Sequence, residues 1–232
     1  MKRNRNIGSI LLIAAGLLLI AAALYELIPV LLAYKRADDT YEALREAYMT
    51  GQPGTSSDDP AEEGEELPAW YEALQVDFET LKEANPDVIG WIYFDNIEQI
   101  NYPILYSGDD ETYLHTDLYG NASKSGCIFM EGNNVPDFND CHTILYGHNM
   151  KNGSMFGSLK QYKNDGFYEK NAYFTVFTED AAYRYQIFTY SDVPEDSDVY
   201  TTGYLPDETF DGFLTEPVSY THLRAHETCA DL

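Results

Sequence analysis

Cysteine is scarce in this chain: Cys127, Cys141 and Cys229 are the only three in 232 residues. Their separations fit neither a zinc pattern nor a disulfide-rich framework, so neither a metal site nor a cofactor is expected. Basic residues are scarce as well. Fourteen Lys and Arg stand against 39 Asp and Glu, a net charge of −25, and so acidic a surface lacks the basic footprint that nucleic-acid binding requires. None of the acidic runs has the Asp-x-Asp-x-Asp-Gly spacing of a calcium loop, so the acids read as a solvated exterior. No segment repeats at a fixed period.

One long apolar run is present. From Asn6 to Tyr25 there is no charged residue, and after Glu26 the apolar character resumes through Leu27 to Tyr34. Such a stretch is long enough to cross a bilayer as a helix. Lys2, Arg3 and Arg5 precede it, which predicts a cytoplasmic N-terminus, a single-pass type II anchor and an extracytoplasmic remainder, although Lys35 and Arg36 reduce the asymmetry. The competing reading is a cleaved signal peptide ending near Ala21-Ala22-Ala23. The run exceeds the roughly 7–15 residues of such an apolar core.

Beyond the anchor, residues 1–36, the texture changes twice. Asp38 to Tyr48 predicts a short juxtamembrane helix. Gly51 to Glu66, rich in Gly, Pro, Ser and acid, predicts a flexible spacer that holds the rest of the chain off the membrane. Residues 37–67 are therefore expected to be a linker region, and 68–217 a folded domain. A second helix is predicted over Pro68–Ala84, where Trp70, Leu74, Phe78 and Leu81 recur at helical spacing and Asn85-Pro86 stops it. From Val88 onward, short apolar runs alternate with turn residues: VIGWIYF, INYPILY, GCIFM, HTILYGH, YFTVFT and YRYQIFTY. With aromatics at 14%, these predict a mostly β domain closing towards a barrel. Short helical insertions are expected at Ser154–Tyr162 and Pro206–Leu214.

Four ordered blocks, NPDVIGWI (Asn85–Ile92), INYPIL (Ile100–Leu105), YLHTDLYGNASKSGCIFM (Tyr113–Met130) and TILYGHNMKNGSMFGSLKQY (Thr143–Tyr162), together resemble a class B sortase. The resemblance implies an eight-stranded sortase β-barrel, incomplete here, with N-terminal helices behind a transmembrane helix. It also implies a cysteine transpeptidase. Such an enzyme cleaves a C-terminal sorting signal of exported proteins through a thioester and transfers them to a peptidoglycan amine. The chemistry uses a thiolate nucleophile, a histidine acid/base and an arginine for the oxyanion.

His148, in Tyr146-Gly147-His148-Asn149, falls on the family's histidine and is the one catalytic residue expected. It closes an apolar run and precedes a Gly- and Ser-rich stretch, a strand end opening into a loop. An isolated histidine there would more often be held by backbone partners; the surrounding motif reverses that reading. His115 and His142 match no functional position. Cys127 and Cys141 precede His148, whereas the resemblance places the nucleophile well after it, so both are expected to be small strand residues.

The last segment, Val218–Leu232, resembles no sortase segment. Val218 to Thr228 reads as the translation of a transposase-type sequencing adapter, with Cys229 in the sample index. Processing scars of this kind carry no weight in fold reasoning. The nucleophilic Cys and its Arg are then expected beyond residue 217 of the authentic protein, and the chain as written is expected to be inactive. Two other readings remain open: a non-catalytic, membrane-tethered module that binds envelope peptides, and a hydrolase using Cys141 with His148.

Overall fold

The computed structural model describes residues 3–51 and 74–220, with no side-chain placement for 3–7 and 216–220. A single helix, α1 (Arg3–Tyr48), carries the whole N-terminal region and takes Pro29 in its interior. At 1.5 Å per residue its 46 residues reach about 70 Å, more than twice the hydrocarbon thickness of a bilayer. Leu11, Leu18, Leu19 and Leu31 are all more than half exposed, so this apolar part of α1 is left uncovered by the described residues. A helix apolar all round suits lipid. The anchor and the juxtamembrane segment, expected as two pieces, form one helix. No helix-breaking residue lies in Tyr34-Lys35-Arg36-Ala37, and good helix formers carry the run onward.

The final turns of α1 belong to the folded domain, where Tyr41 and Leu44 are 4% and 1% exposed and join the hydrophobic core. Directly after α1, strand β1 (Met49–Thr50) pairs antiparallel with β2 (Gln75–Val76). The residues that flank the acidic segment are therefore neighbours in the fold. Residues 52–73, with Trp70 and most of the expected spacer, lie outside the described residues. Since core packing begins at Tyr41, ahead of that segment, the segment does not separate the domain from the apolar helix, as the sequence had suggested.

The second helix is shorter than periodicity predicted. Helix α2 spans only Phe78–Ala84, because Gln75 and Val76 commit their backbone to β1. Asp77 then caps the helix, accepting from the Thr80 N–H at 3.0 Å and the Thr80 hydroxyl at 2.8 Å. Asn85 closes it at the expected place. Phe78 and Leu81 bury against the sheet.

The six remaining strands coincide with the six apolar runs. They are β3 (Val88–Tyr93), β4 (Asn101–Leu105), β5 (Ile128–Met130), β6 (Leu145–Tyr146), β7 (Tyr173–Phe177) and β8 (Ala182–Gln186). Their order is β6-β5-β4-β3-β7-β8, and β4 and β5 are the one parallel neighbour pair. The sheet curls into an incomplete sortase-type barrel whose margins, among the described residues, are β6 and β8. Trp91, Ile104, Leu105, Ile128 and Met130 are buried at 0% exposure, and since neighbouring strand residues such as Ile104 and Leu105 point to opposite faces, both faces of the sheet are covered there. Strand β6 is shorter than its apolar run because Asn134 stands in for a strand partner. Its side chain accepts from the Ile144 N–H at 3.0 Å and donates to the His142 carbonyl at 2.8 Å.

Short 3-10 turns at Phe156–Lys163 and α3 (Glu208–Tyr220) occupy the two expected helical insertions. The backbone of α3 carries the first three residues of the adapter-like tail; residues 221–232 lie outside the described residues.

Candidate active site

Strands β5 and β6 align Phe129 with Tyr146 and Met130 with Leu145. The next residue, Gly147, has no room for a side chain: a Cβ there would lie 2.4 Å from Ile128 Cδ1 and 2.7 Å from Phe156 Cδ2. Glycine lets β6 lie close enough to β5 for His148 to leave the sheet at this point. His148 is half-buried, and its Nε2 lies 2.8 Å from the Leu114 carbonyl. A carbonyl only accepts, so Nε2 carries the proton in this arrangement. Nδ1 has no partner among the described residues. The ring of His115 lies 5.9 Å away, tilted by 30°.

The loop after His148 is tightly closed. The amides of Met150 and Phe156 both donate to the His148 carbonyl at 3.1 Å, and Asn149 bridges to Met155. A Cβ on Gly157 would lie 2.2 Å from the Met150 carbonyl oxygen, so this crossing also demands glycine. Met155 sits at φ +52 with its side chain fully buried. Residues other than glycine adopt such a conformation only where their surroundings impose it. The loop that follows the histidine is thus held by its own geometry.

Beside this strand end lies a carboxylate cluster. Glu131, 5% exposed, accepts from the Tyr146 hydroxyl at 2.6 Å and from Asn133 Nδ2 at 2.7 Å. Burial alone would push its carboxyl up; the Tyr146 and Asn133 hydrogen bonds overcome that and hold it below the usual value. Asp110 accepts from the Gly132 N–H at 2.8 Å. Its carboxyl is pushed up by burial and by the Glu131 charge. Burial and the bond to Glu131 also raise the Tyr146 phenol. Sequence reasoning placed the acids on a solvated exterior and did not single out this trio. The only available signal was an acid directly after the buried run Ile128-Phe129-Met130.

Sequence reading had also set His115 aside, and the fold brings it beside His148. His142 is elsewhere, its Nδ1 2.8 Å from the Thr201 carbonyl and its ring 4.8 Å from Phe213 of α3. Cys127 is fully buried just ahead of β5. Its Sγ donates to the Thr116 carbonyl at 3.2 Å, and the Tyr41 hydroxyl lies 3.6 Å from it. Burial pushes this thiol up to about 12, so it is almost wholly un-ionised and a poor nucleophile at neutral pH. Cys141 is half-buried in a bend, outside any strand. Neither thiol forms a disulfide, and no group of three or more His, Cys, Asp or Glu among the described residues could hold a metal ion.

Comparison with known proteins gives a consistent result. The sortase-domain family model matches residues 92–215. Sortase B of Listeria monocytogenes is 33% identical over 134 residues, 58% of this chain and 54% of that protein. Sortase B of Staphylococcus aureus is 27% identical over 145 residues, 62% of this chain and 59% of the relative. The chain thus spans between half and three fifths of the length of these curated relatives. The crystal structure of sortase B from Bacillus anthracis superposes with a TM-score of 0.65 at 27% identity, covering 87% of this chain and 86% of that one. Matched over more than half its length by the family model, and sharing both sequence and fold with sortases B, the chain belongs to the sortase family and, within it, to class B.

Proposed function

We propose that the authentic protein is a membrane-anchored cysteine transpeptidase in which His148 is the general acid and base. Its substrates are exported proteins with a C-terminal sorting signal, and its acceptor is a peptidoglycan amine. The observation that carries this reading is the match to the sortase domain across Tyr146-Gly147-His148, joined to the position of His148 at a strand end with Nδ1 unpartnered among the described residues.

In the first half-reaction a thiolate adds to the scissile carbonyl, and the His148 imidazolium protonates the departing amine as the thioester forms. In the second, neutral His148 takes the proton of the incoming amine as it attacks the thioester. Proton transfer of this kind contributes about 10²–10⁴-fold to rate. The Leu114 carbonyl keeps one ring nitrogen occupied and leaves the other for this exchange. Cys127 is buried with its thiol pushed up, which disfavours it as the nucleophile. The nucleophile and the oxyanion-stabilising Arg are instead assigned to authentic sequence beyond residue 217, and the chain as written is assigned no activity. The apolar part of α1 is long enough for a single-pass anchor, and the basic residues before it favour a cytoplasmic N-terminus with the domain outside.

Reading the locus past codon 217 and assaying the restored protein on a quenched-fluorophore sorting peptide tests the assignment. A Cys and an Arg should appear after His148, and His148→Ala should lower turnover at least a hundredfold. Retained turnover refutes the role of His148. Authentic sequence lacking both residues would replace this reading with that of a non-catalytic peptide-binding module.

A further inference from the structure

The last turns of α1 touch the surroundings of His148 from two sides. On one side, the Asp38 carboxylate accepts from Asn152 Nδ2 at 3.1 and 3.3 Å. The Asn152 side chain in turn accepts from the Ser154 hydroxyl at 2.7 Å, so the tip of the loop following His148 is tied to the helix. The same loop is tied a second time through Tyr102 of β4, whose hydroxyl accepts from the strained Met155 N–H at 3.0 Å. The Tyr102 ring packs edge-on against Tyr41 at 4.9 Å and lies beneath the Arg45 guanidinium at 6.0 Å. A cleft of about 240 Å³ lies between Asp38, Arg45, Tyr102 and Asn152.

On the other side, the Tyr41 hydroxyl donates to the Gly126 carbonyl at 2.5 Å. Gly126 and Cys127 run directly beneath Tyr113 and Leu114. The Cys127 amide donates to the Tyr113 carbonyl at 2.9 Å, and a Cβ on Gly126 would lie 2.5 Å from the Leu114 oxygen. That oxygen is the one that receives His148 Nε2. The helix therefore braces both the loop that continues from His148 and the carbonyl that orients its ring.

We propose that the Asp38–Arg45 stretch of α1 is a positioning element for the His148 loop, with Asp38 and Tyr41 as its positioning residues. The proposal deepens the transpeptidase reading and rests on it for its catalytic consequence. Because α1 runs without interruption from its apolar part to these contacts, the helix that meets the bilayer also sets the histidine's surroundings. Catalytic geometry is sensitive to displacements of about 1 Å, so contacts that are individually weak are sufficient for such a role.

The test is hydrogen–deuterium exchange on the full chain in detergent micelles, comparing wild type with Asp38→Ala and Tyr41→Phe. Asp38 is exposed, and Tyr41→Phe removes one oxygen while keeping the packed ring, so both variants should fold. Amides of 149–157 should exchange about tenfold faster in both variants, and those of 113–116 faster in Tyr41→Phe. The β3 and β7 amides should stay at wild-type rates. Unchanged loop exchange, or a rise spread equally over β3 and β7, overturns the proposal. In the restored enzyme, Asp38→Ala should lower kcat several-fold at unchanged KM. Full kcat in that variant, with His148→Ala inactive, would refute the positioning role and leave the transpeptidase reading standing.

Discussion

Gly147→Ala is the substitution whose cost the structure defines most closely. The new methyl would meet Ile128 Cδ1 at 2.4 Å and Phe156 Cδ2 at 2.7 Å, both far inside carbon–carbon contact distance. Ile128 is at 0% exposure, so its terminal methyl has no free volume to enter. Phe156 is half-buried and begins the 3-10 turn Phe156–Lys163, so moving its ring disturbs the loop after His148. Overpacking of this kind costs about 1–3 kcal/mol, or roughly 2–12 °C in Tm at about 2–4 °C per kcal/mol for a domain of this size.

Ile128→Val removes the offending Cδ1 atom and supplies the control. Alone it should cost about 0.5–1.5 kcal/mol. In the Gly147→Ala background it should cost nothing or restore stability, a coupling of about 1 kcal/mol. The remaining Phe156 contact keeps the rescue partial. Thermal unfolding of the four proteins of the cycle, followed by near-ultraviolet circular dichroism in detergent micelles, measures both quantities. A Gly147→Ala protein that melts with the wild type, or an Ile128→Val cost equal in both backgrounds, would show that β6 can move away from β5 and that the close approach is not what demands glycine.

Two further outcomes are expected. Raising the Cys127 thiol from 9.0 to about 12 leaves roughly a thousandfold less thiolate at neutral pH. Iodoacetamide should therefore leave Cys127 unmodified in the folded chain and alkylate it in denaturant, as peptide mass spectrometry would read; labelling at the unfolded rate would refute its burial. Asp110→Asn tests the carboxylate cluster. The Asp110 carboxyl is raised in the fold, so its contribution is favourable in acid and is lost as pH rises through the raised value. Glu131 is lowered and behaves oppositely. Removing the Asp110 charge should stabilise the protein at pH 7 by about 0.5 kcal/mol, given that Asp110 is exposed, and the gain should fade as pH falls through the raised value of its carboxyl. A lower Tm for Asp110→Asn at pH 7 would refute the repulsion.

The six apolar runs from VIGWIYF to YRYQIFTY each became a strand, because strand formation there follows local alternation and turn residues that a linear reading can see. The stop at Asn85-Pro86 and the membrane-length apolar run were equally visible, since each is a property of neighbouring residues. The family resemblance was legible for the same reason, carried by contiguous blocks such as Tyr146-Gly147-His148.

What the sequence concealed depends on residues far apart in the chain. Periodicity ran the second helix from Pro68, yet pairing of Gln75-Val76 with Met49-Thr50 began it at Phe78. Tertiary pairing overrides local propensity wherever backbone groups find a distant partner. The acidic segment looked like a spacer because composition records flexibility and says nothing of where the ends meet. His115 looked ordinary because 33 residues separate it from His148, and Glu131 looked like any surface acid until Tyr146 closed over it.

The sequence by itself determined the strands, the apolar helix and the family resemblance, all of which follow from local pattern. Only the tertiary structure decided that Leu114 orients His148, that Gly147 lets its strand lie against β5, and that the end of α1 reaches both sides of its loop. Those outcomes depend on close approaches between distant segments, and hydrogen bonds and steric contacts act only over a few ångströms.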